Sequence, residues 1–254
     1  MTQQACEGCQ SGAKFEIDFT MAFQPIVDIS MDEIWGYEAL VRGVNGEGAG
    51  AVLAAVNDSN RYKFDQACRV KAIELAGAHM PAGSTAKLSI NFMPNAVYEP
   101  AACIRASLAA AARAKFDPKR LMFEFTENEK IDDTGHVKNI VAAYRQMGFT
   151  TALDDFGAGY AGLGLLAEFQ PDLIKIDMAL IRGIAESDAR RIIVRGIIDI
   201  ATALGITVLA EGVETFAELE VLKTTGIKLF QGYYFAKPEV ESFRPKIGPL
   251  LEAV

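Results

Sequence analysis

Two adjacent aspartates, Asp154 and Asp155, end a short run carrying Thr150, Thr151 and Leu153, and a loop with Gly157 and Gly159 follows. Neighbouring carboxylates repel, so a strand end that keeps both ionised calls for cations to hold them. In an extended chain successive side chains point to opposite faces. One aspartate is then expected to bridge two metal ions while the other reaches only one. A helix cap or turn after a strand is the plain alternative, and the rest of the chain decides between them.

Alternation of apolar residues predicts strands at 22–29 and 33–41, joined by the turn Ser30-Met31-Asp32 as an antiparallel hairpin. Further strands are expected at 87–92, 120–126, 150–155, 172–177, 206–210 and 227–230. Helices are expected at 51–57, 60–79, 101–114, 134–147, 188–204, 216–224 and 240–251. The 134–147 helix places Val137, Ile140, Val141 and Tyr144 on one face, and the 188–204 helix does the same with Ile193, Ile197, Ile200 and Leu204. The stretch 156–165 reads as a loop made unusually free by Gly157, Gly159, Gly162 and Gly164. Strands alternating with helices imply a parallel sheet with helical crossovers, and eight such units close into a barrel. The fold class is α/β: a TIM-type (β/α)8 barrel variant with an antiparallel first strand.

In such barrels the active site lies at the C-terminal rim. There the strand ends supply Glu38, Asn91, Glu124, Asp154 with Asp155, Lys175, Glu211 and Gln231. Five carboxylates, one lysine ammonium and two divalent ions balance to neutrality, whereas the rim without ions repels any phosphate. Hard oxygen donors with no His or Cys point to Mg²⁺ or Mn²⁺ rather than zinc. Two such ions suit in-line attack of water on a phosphodiester.

These residues carry a resemblance. The chain resembles the EAL-domain family of cyclic di-GMP phosphodiesterases through YEALVRG with Glu38-Ala39-Leu40, QPIV from Gln24, and SINFMP around Asn91. FEFTE with Glu124 and Glu127, DDFGAGY, LIKID, EGVE from Glu211 and QGYYFAKP from Gln231 continue it. The resemblance implies hydrolysis of cyclic di-GMP to linear pGpG by two-metal-activated water, the alternative being a non-catalytic receptor for the same ligand. It implies that Glu38, Asn91, Glu124 and Asp154 hold one ion and that Asp154, Asp155 and Glu211 hold the other. Lys175 would orient the water, Gln231 would contact water or substrate, and Glu211 is either general base or ligand only. Glu214 falls behind the site, and Glu127 anchors the loop after the fifth strand. Gln24, Leu40 and Arg42 are implied as substrate contacts. Where the family commonly reads DDFGTGYSSL this chain has DDFGAGYAGL, so Ala158, Ala161 and Gly162 lack the hydroxyls that could bind Glu127. These variants look most like EAL domains fused to blue-light-sensing flavin modules. A homodimer, paired through helices near strands five and six, is the expected assembly.

Composition bounds the partners. The 254 residues fit one large domain, and a net charge of −8 argues against polymeric nucleic acid. No apolar run approaches a membrane span of about 20 residues, and no signal-peptide core is present, so a cytoplasmic setting is expected. Residues 1–18 read as a polar, disordered leader and 19–254 as the catalytic domain. Cys6 and Cys9 form a lone CxxC in the leader, short of the further ligands a zinc site needs. Cys68 and Cys103 read as buried small hydrophobes. A retaining glycosidase using Glu124 and Glu211 leaves Glu38, Asp154 and Asp155 unexplained. A Schiff-base aldolase using Lys175 wants a depressed lysine pKa, which neighbouring carboxylates oppose.

Overall fold

The computed structural model describes residues 17–57, 59–97, 99–126, 134–159 and 162–244. The chain opens with an antiparallel hairpin of β1 (Phe19–Asp28) and β2 (Glu33–Gly43). At its turn the Asp28 carboxylate accepts from Ser30 N at 2.8 Å, and Asp32 adopts a positive φ of 53°. Then follow α1 (Ala49–Leu53), α2 (Arg61–His79), β3 (Lys87–Asn91), α3 (Pro100–Cys103), α4 (Arg105–Ala114) and β4 (Leu121–Thr126). Next are α5 (Thr134–Gln146), β5 (Thr150–Phe156), α6 (Gly162–Glu168), β6 (Leu173–Ile176) and α7 (Met178–Ile181). The described chain ends with α8 (Asp188–Ala203), β7 (Thr207–Ala210), α9 (Phe216–Lys223), β8 (Leu229–Phe230) and β9 (Glu239–Val240).

Strands β2 to β8 pair in parallel in sequence order. β1 lies between β8 and β2, antiparallel to both, and closes the barrel. This is the expected (β/α)8 variant with its inverted first strand.

The barrel interior is layered by the two-residue period of its strands. Ile26, Met122, Ala152, Leu173, Leu209 and Leu229 form an apolar plug, each fully or almost fully buried. Two residues further along β4 to β7, toward the C-terminal rim, the same inward face carries Glu124, Asp154, Lys175 and Glu211, and Gln231 follows Leu229 by the same step. The plug keeps water from entering beneath the charged layer, so those side chains sit on a dry floor. Outside the barrel, alternate residues such as Phe123, Phe125 and Ile174 pack under the helices with Phe92, Tyr144 and Phe149.

Several expectations change. On α5, Val137, Ile140, Val141 and Tyr144 are all buried as anticipated. On α8 the buried residues are Val194, Ile198 and Ala201, while Ile193, Ile200 and Leu204 are exposed. Paired isoleucines at 192–193 and 197–198 make that helix apolar on both sides, so periodicity could not tell which one docks. The supposed free loop after Phe156 contains α6, whose Leu165 and Leu166 are buried. Burial of two leucines outweighs the helix-disfavouring effect of Gly162 and Gly164. The helix expected from residue 240 does not begin there, because Glu239–Val240 pairs with β1 as β9 and Glu241 N donates to Met21 O at 2.9 Å. Residues 241–244 are not helical, and the rest of that expected helix, 245–251, with Cys6, Cys9 and Glu127, lies outside the described residues. Cys68 and Cys103 are buried free thiols.

Candidate metal centre at the barrel rim

Lys175 stands at the middle of the charged layer. Its Nζ, on a side chain only 1% exposed, lies 2.6 Å from Glu211 Oε1, 2.8 Å from Glu124 Oε2, 3.2 Å from Asp154 Oδ1 and 3.3 Å from Glu38 Oε2. An ammonium has three protons, so four carboxylates share an incomplete set of donors. Further bonds fix each carboxylate. Asn91 Nδ2 donates to Glu38 Oε1 at 3.1 Å, and Gln231 Nε2 donates to Glu38 Oε2 at 2.7 Å. The Ser89 hydroxyl donates to Glu124 Oε1. Gln231 Nε2 also reaches Gln24 Oε1 at 3.2 Å, and Gln24 Nε2 donates to Ala236 O at 3.1 Å. Gln24 faces Glu38 because the two are register partners across the hairpin.

The aspartate pair departs from simple strand geometry. Asp155 has φ of 55°, and the β5–β6 register shifts between Leu153 and Phe156. This irregularity breaks the alternation that would send adjacent side chains to opposite faces. Both aspartates therefore line one cavity. A left-handed residue other than glycine costs about 1–2 kcal/mol, and aspartate is among the few that tolerate it. The Asp155 carboxylate is held by Thr126 Oγ1 at 2.8 Å, and Asp155 N donates to Asp154 Oδ1 at 2.9 Å.

Electrostatics follow from burial. Glu124, fully buried, is pushed up to about 8 by desolvation, against the pull of Lys175 and with Glu38 and Asp154 adding to the rise. Burial and then Asp154 lift Glu211 well above the carboxylate range. Burial alone would lower Lys175, but Asp154, Glu124, Glu211 and Glu38 together hold it well above its usual value. One ammonium thus leaves the set short of positive charge.

Divalent cations fit what is present. Oxygen atoms of Glu38, Glu124 and Asp154 lie within 4.8 Å of one another, as do those of Asp154, Asp155 and Glu211, with Asp154 in both groups. All are hard donors. Gln231 Oε1 is buried at the same wall and accepts no hydrogen bond, so it is an acceptor in want of a donor.

The cavity above this layer, about 320 Å³, is lined by Gln24, Glu38, Leu40, Asp154, Asp155, Lys175, Glu211, Glu214 and Gln231 among others. Asn91 is exposed beside Glu38. Glu214 is solvent-exposed and ion-paired with Arg182, apart from the carboxylate cluster. Arg42 lies outside this lining, half-buried, its Nη1 donating to Val41 O at 2.7 Å. The sequence reading passed over Ser89 and Thr126. Each sits two residues from a named ligand, Asn91 or Glu124, on the same strand face, and that period was the available signal. It also passed over Arg182, Met178 and Tyr233 on the cavity wall, which no period marks.

Fold and donors together define a class, a closed (β/α)8 barrel whose C-terminal rim gathers hard oxygen donors fit to hold divalent cations. The chain belongs to the EAL domain family, whose profile matches residues 12–238. It is 52% identical to a standalone versatile EAL protein from Vibrio cholerae O395 solved in a c-di-GMP-bound form. That alignment covers 94% of this chain and 100% of the other, with a TM-score of 0.88. Klebsiella pneumoniae BlrP1 in a manganese/cy-diGMP complex is 36% identical over 89% of this chain and 57% of its own, with a TM-score of 0.82. The blue light- and temperature-regulated antirepressor BluF of Escherichia coli is 33% identical over 86% of this chain and 54% of its own length. The chain thus spans about half of that relative, and other curated relatives are named as cyclic di-GMP phosphodiesterases. Among the described residues no helix is long and apolar enough to cross a membrane.

A pH test follows from Glu124. In the metal-free fold it stays protonated up to about pH 8, whereas unfolded it ionises near 4.5. Its contribution to stability is full below the unfolded value and is lost as pH rises toward the folded one. The Tm of metal-stripped protein should fall from near pH 5 to near pH 8, and Mn²⁺ should raise Tm more at the upper end, where the ion displaces fewer protons. A Tm independent of pH, or a larger Mn²⁺ effect at the acid end, contradicts this reading.

Proposed function

We propose that this chain hydrolyses cyclic di-GMP to linear pGpG using two divalent ions, Mg²⁺ or Mn²⁺, at the barrel rim. The observation that carries the reading is the pair of oxygen triads sharing Asp154 around the buried Lys175. Glu38, Asn91, Glu124 and Asp154 are the proposed ligands of one ion, and Asp154, Asp155 and Glu211 those of the other. Ions bound there would polarise a phosphodiester and acidify a water. The c-di-GMP-bound form of the Vibrio cholerae relative supports the same ligand class here.

Lys175 Nζ holds Glu211 Oε1 and Asp154 Oδ1 together, so it fixes the carboxylates on both sides of the reacting region and orients the water. Glu211, a proposed ligand of the second ion, would also be placed to take a proton from that water. Gln231 Oε1 is free to accept from water or from a substrate hydroxyl. Gln24 and Leu40 are proposed substrate contacts on the wall, with Arg42 beyond it. Glu214 acts from the loop behind Glu211, through its pair with Arg182.

A second copy of the chain is the proposed partner. α8 exposes Ile192, Ile193, Ile200 and Leu204, and a monomer seldom leaves so apolar a helix surface uncovered. Pairing there, on the helix after β6, places the interface beside the strand that carries Lys175.

Chromatography of cyclic di-GMP incubated with protein and Mg²⁺ or Mn²⁺ should show pGpG, and Ca²⁺, which prefers longer bonds and more ligands, should inhibit. Binding without pGpG under either ion would favour the receptor alternative, and full activity in Ca²⁺ alone would count against the ligand geometry. Glu38→Ala or Asp154→Ala should lose metal and activity together. Lys175→Ala should keep at least one ion yet lose about a hundredfold or more in kcat, as expected for a removed positioning charge. Equal metal loss in Lys175→Ala would make the lysine structural. Specific activity should also fall on dilution in step with the dimer fraction seen by sedimentation, and a constant value across dissociation would rule the dimer requirement out.

A further inference from the structure

The cavity holds two cationic side chains among its described lining residues, Lys175 and Arg182. Lys175 is buried and engaged by four carboxylates at the floor of the cavity. Arg182 is different. It follows α7, pairs through Nη2 with Glu214 Oε1, and its Nε is buried without any hydrogen-bond partner. A guanidinium has five N–H donors in a fixed fork, so one carboxylate leaves capacity for a second anion.

The backbone around Arg182 is pinned from two sides. Arg182 N donates to Met178 O at 2.8 Å, and the next residue, Gly183, donates to Glu218 Oε1 at 3.2 Å. Glu218 is itself buried, and its other oxygen accepts from Glu214 N at 3.0 Å and Thr215 N at 3.1 Å. One carboxylate therefore ties the loop bearing Arg182 to the loop bearing Glu211 and Glu214. Gly212 seals the junction, since a Cβ there would meet Met178 Cβ at 2.4 Å. The backbone at Arg182 is thus held in place at the wall, Glu214 orients the guanidinium, and with Nε buried it is the Nη groups that keep N–H donors beyond the one given to Glu214.

Resting on the cyclic di-GMP reading, we infer that Arg182 is a substrate-binding residue that holds the phosphodiester not being cleaved. Cyclic di-GMP carries two phosphodiester anions. The ions proposed at the rim neutralise the one under attack, and the second enters a cavity whose remaining walls carry Asp177 and Glu214. A cation on this wall favours the second anion, and Arg182 lines the cavity, whereas Arg42 lies outside the lining. Glu214 stays as its partner and keeps the guanidinium oriented before substrate arrives.

The test compares wild type, Arg182→Ala and Arg182→Lys, each checked for an unchanged melting curve. Calorimetric Kd for cyclic di-GMP, with Ca²⁺ in place of Mn²⁺, should weaken about 10- to 100-fold in Arg182→Ala, the worth of a charge-assisted hydrogen bond, and be partly rescued by Lys. In Mn²⁺ the KM for cyclic di-GMP should rise by more than kcat falls. Its rise should be at least several-fold larger than that for bis(p-nitrophenyl) phosphate, which has a single phosphodiester. Wild type that binds cyclic di-GMP while both variants bind it equally well overturns the assignment. Equal impairment of both substrates also overturns it, because Arg182 would then act through the fold. Wild type that does not bind cyclic di-GMP sinks the functional reading itself, and this inference with it.

Discussion

The Lys175 ammonium, buried and shared by Glu38, Glu124, Asp154 and Glu211, is the interaction on which the rest of the molecule depends. Removing so many charges from water is costly, and a single ammonium repays only part of it. The barrel tolerates the arrangement because further bonds at the rim hold the carboxylates in place. Asn91 and Gln231 fix Glu38, Ser89 fixes Glu124, and Thr126 fixes Asp155. The excess negative charge that remains is what makes the site suited to divalent cations, and it marks the difference between a structural salt-bridge network and a metal centre.

Position comes from the barrel. The apolar plug of Ile26, Met122, Ala152, Leu173, Leu209 and Leu229 lies one strand period beneath the charged layer and sets its depth at the rim. The inverted β1 brings Gln24 opposite Glu38 and so completes the ring of polar side chains at the point where the parallel strands meet it. Only at β5 does the regular strand fail, and there the left-handed Asp155 turns a second carboxylate into the cavity. Strain at that residue coincides with the place where two ligand groups meet.

The rim was legible in the sequence because side chains alternate along the strands and each polar rim residue interrupts or ends an apolar run. Glu38, Asn91, Glu124, Lys175, Glu211 and Gln231 all follow that logic. Asp155 was named as well, but its turn into the same cavity as Asp154 was not foreseen, since a backbone irregularity has no period to read. The docking side of α8 was hidden because isoleucines occur on both of its faces, and only contact with the barrel picks Val194, Ile198 and Ala201. Arg182 was invisible for another reason: its role depends on Glu214 and Glu218, which are distant in sequence and meet it only after the loops behind β6 and β7 pack together.

Charge balance at the rim is the central claim, and counting bound ions tests it most directly. Equilibrium dialysis of metal-stripped protein against Mn²⁺ at neutral pH should give two ions per chain, because two divalent charges are what the carboxylates need beyond Lys175. One ion per chain at saturation, or none, would contradict it.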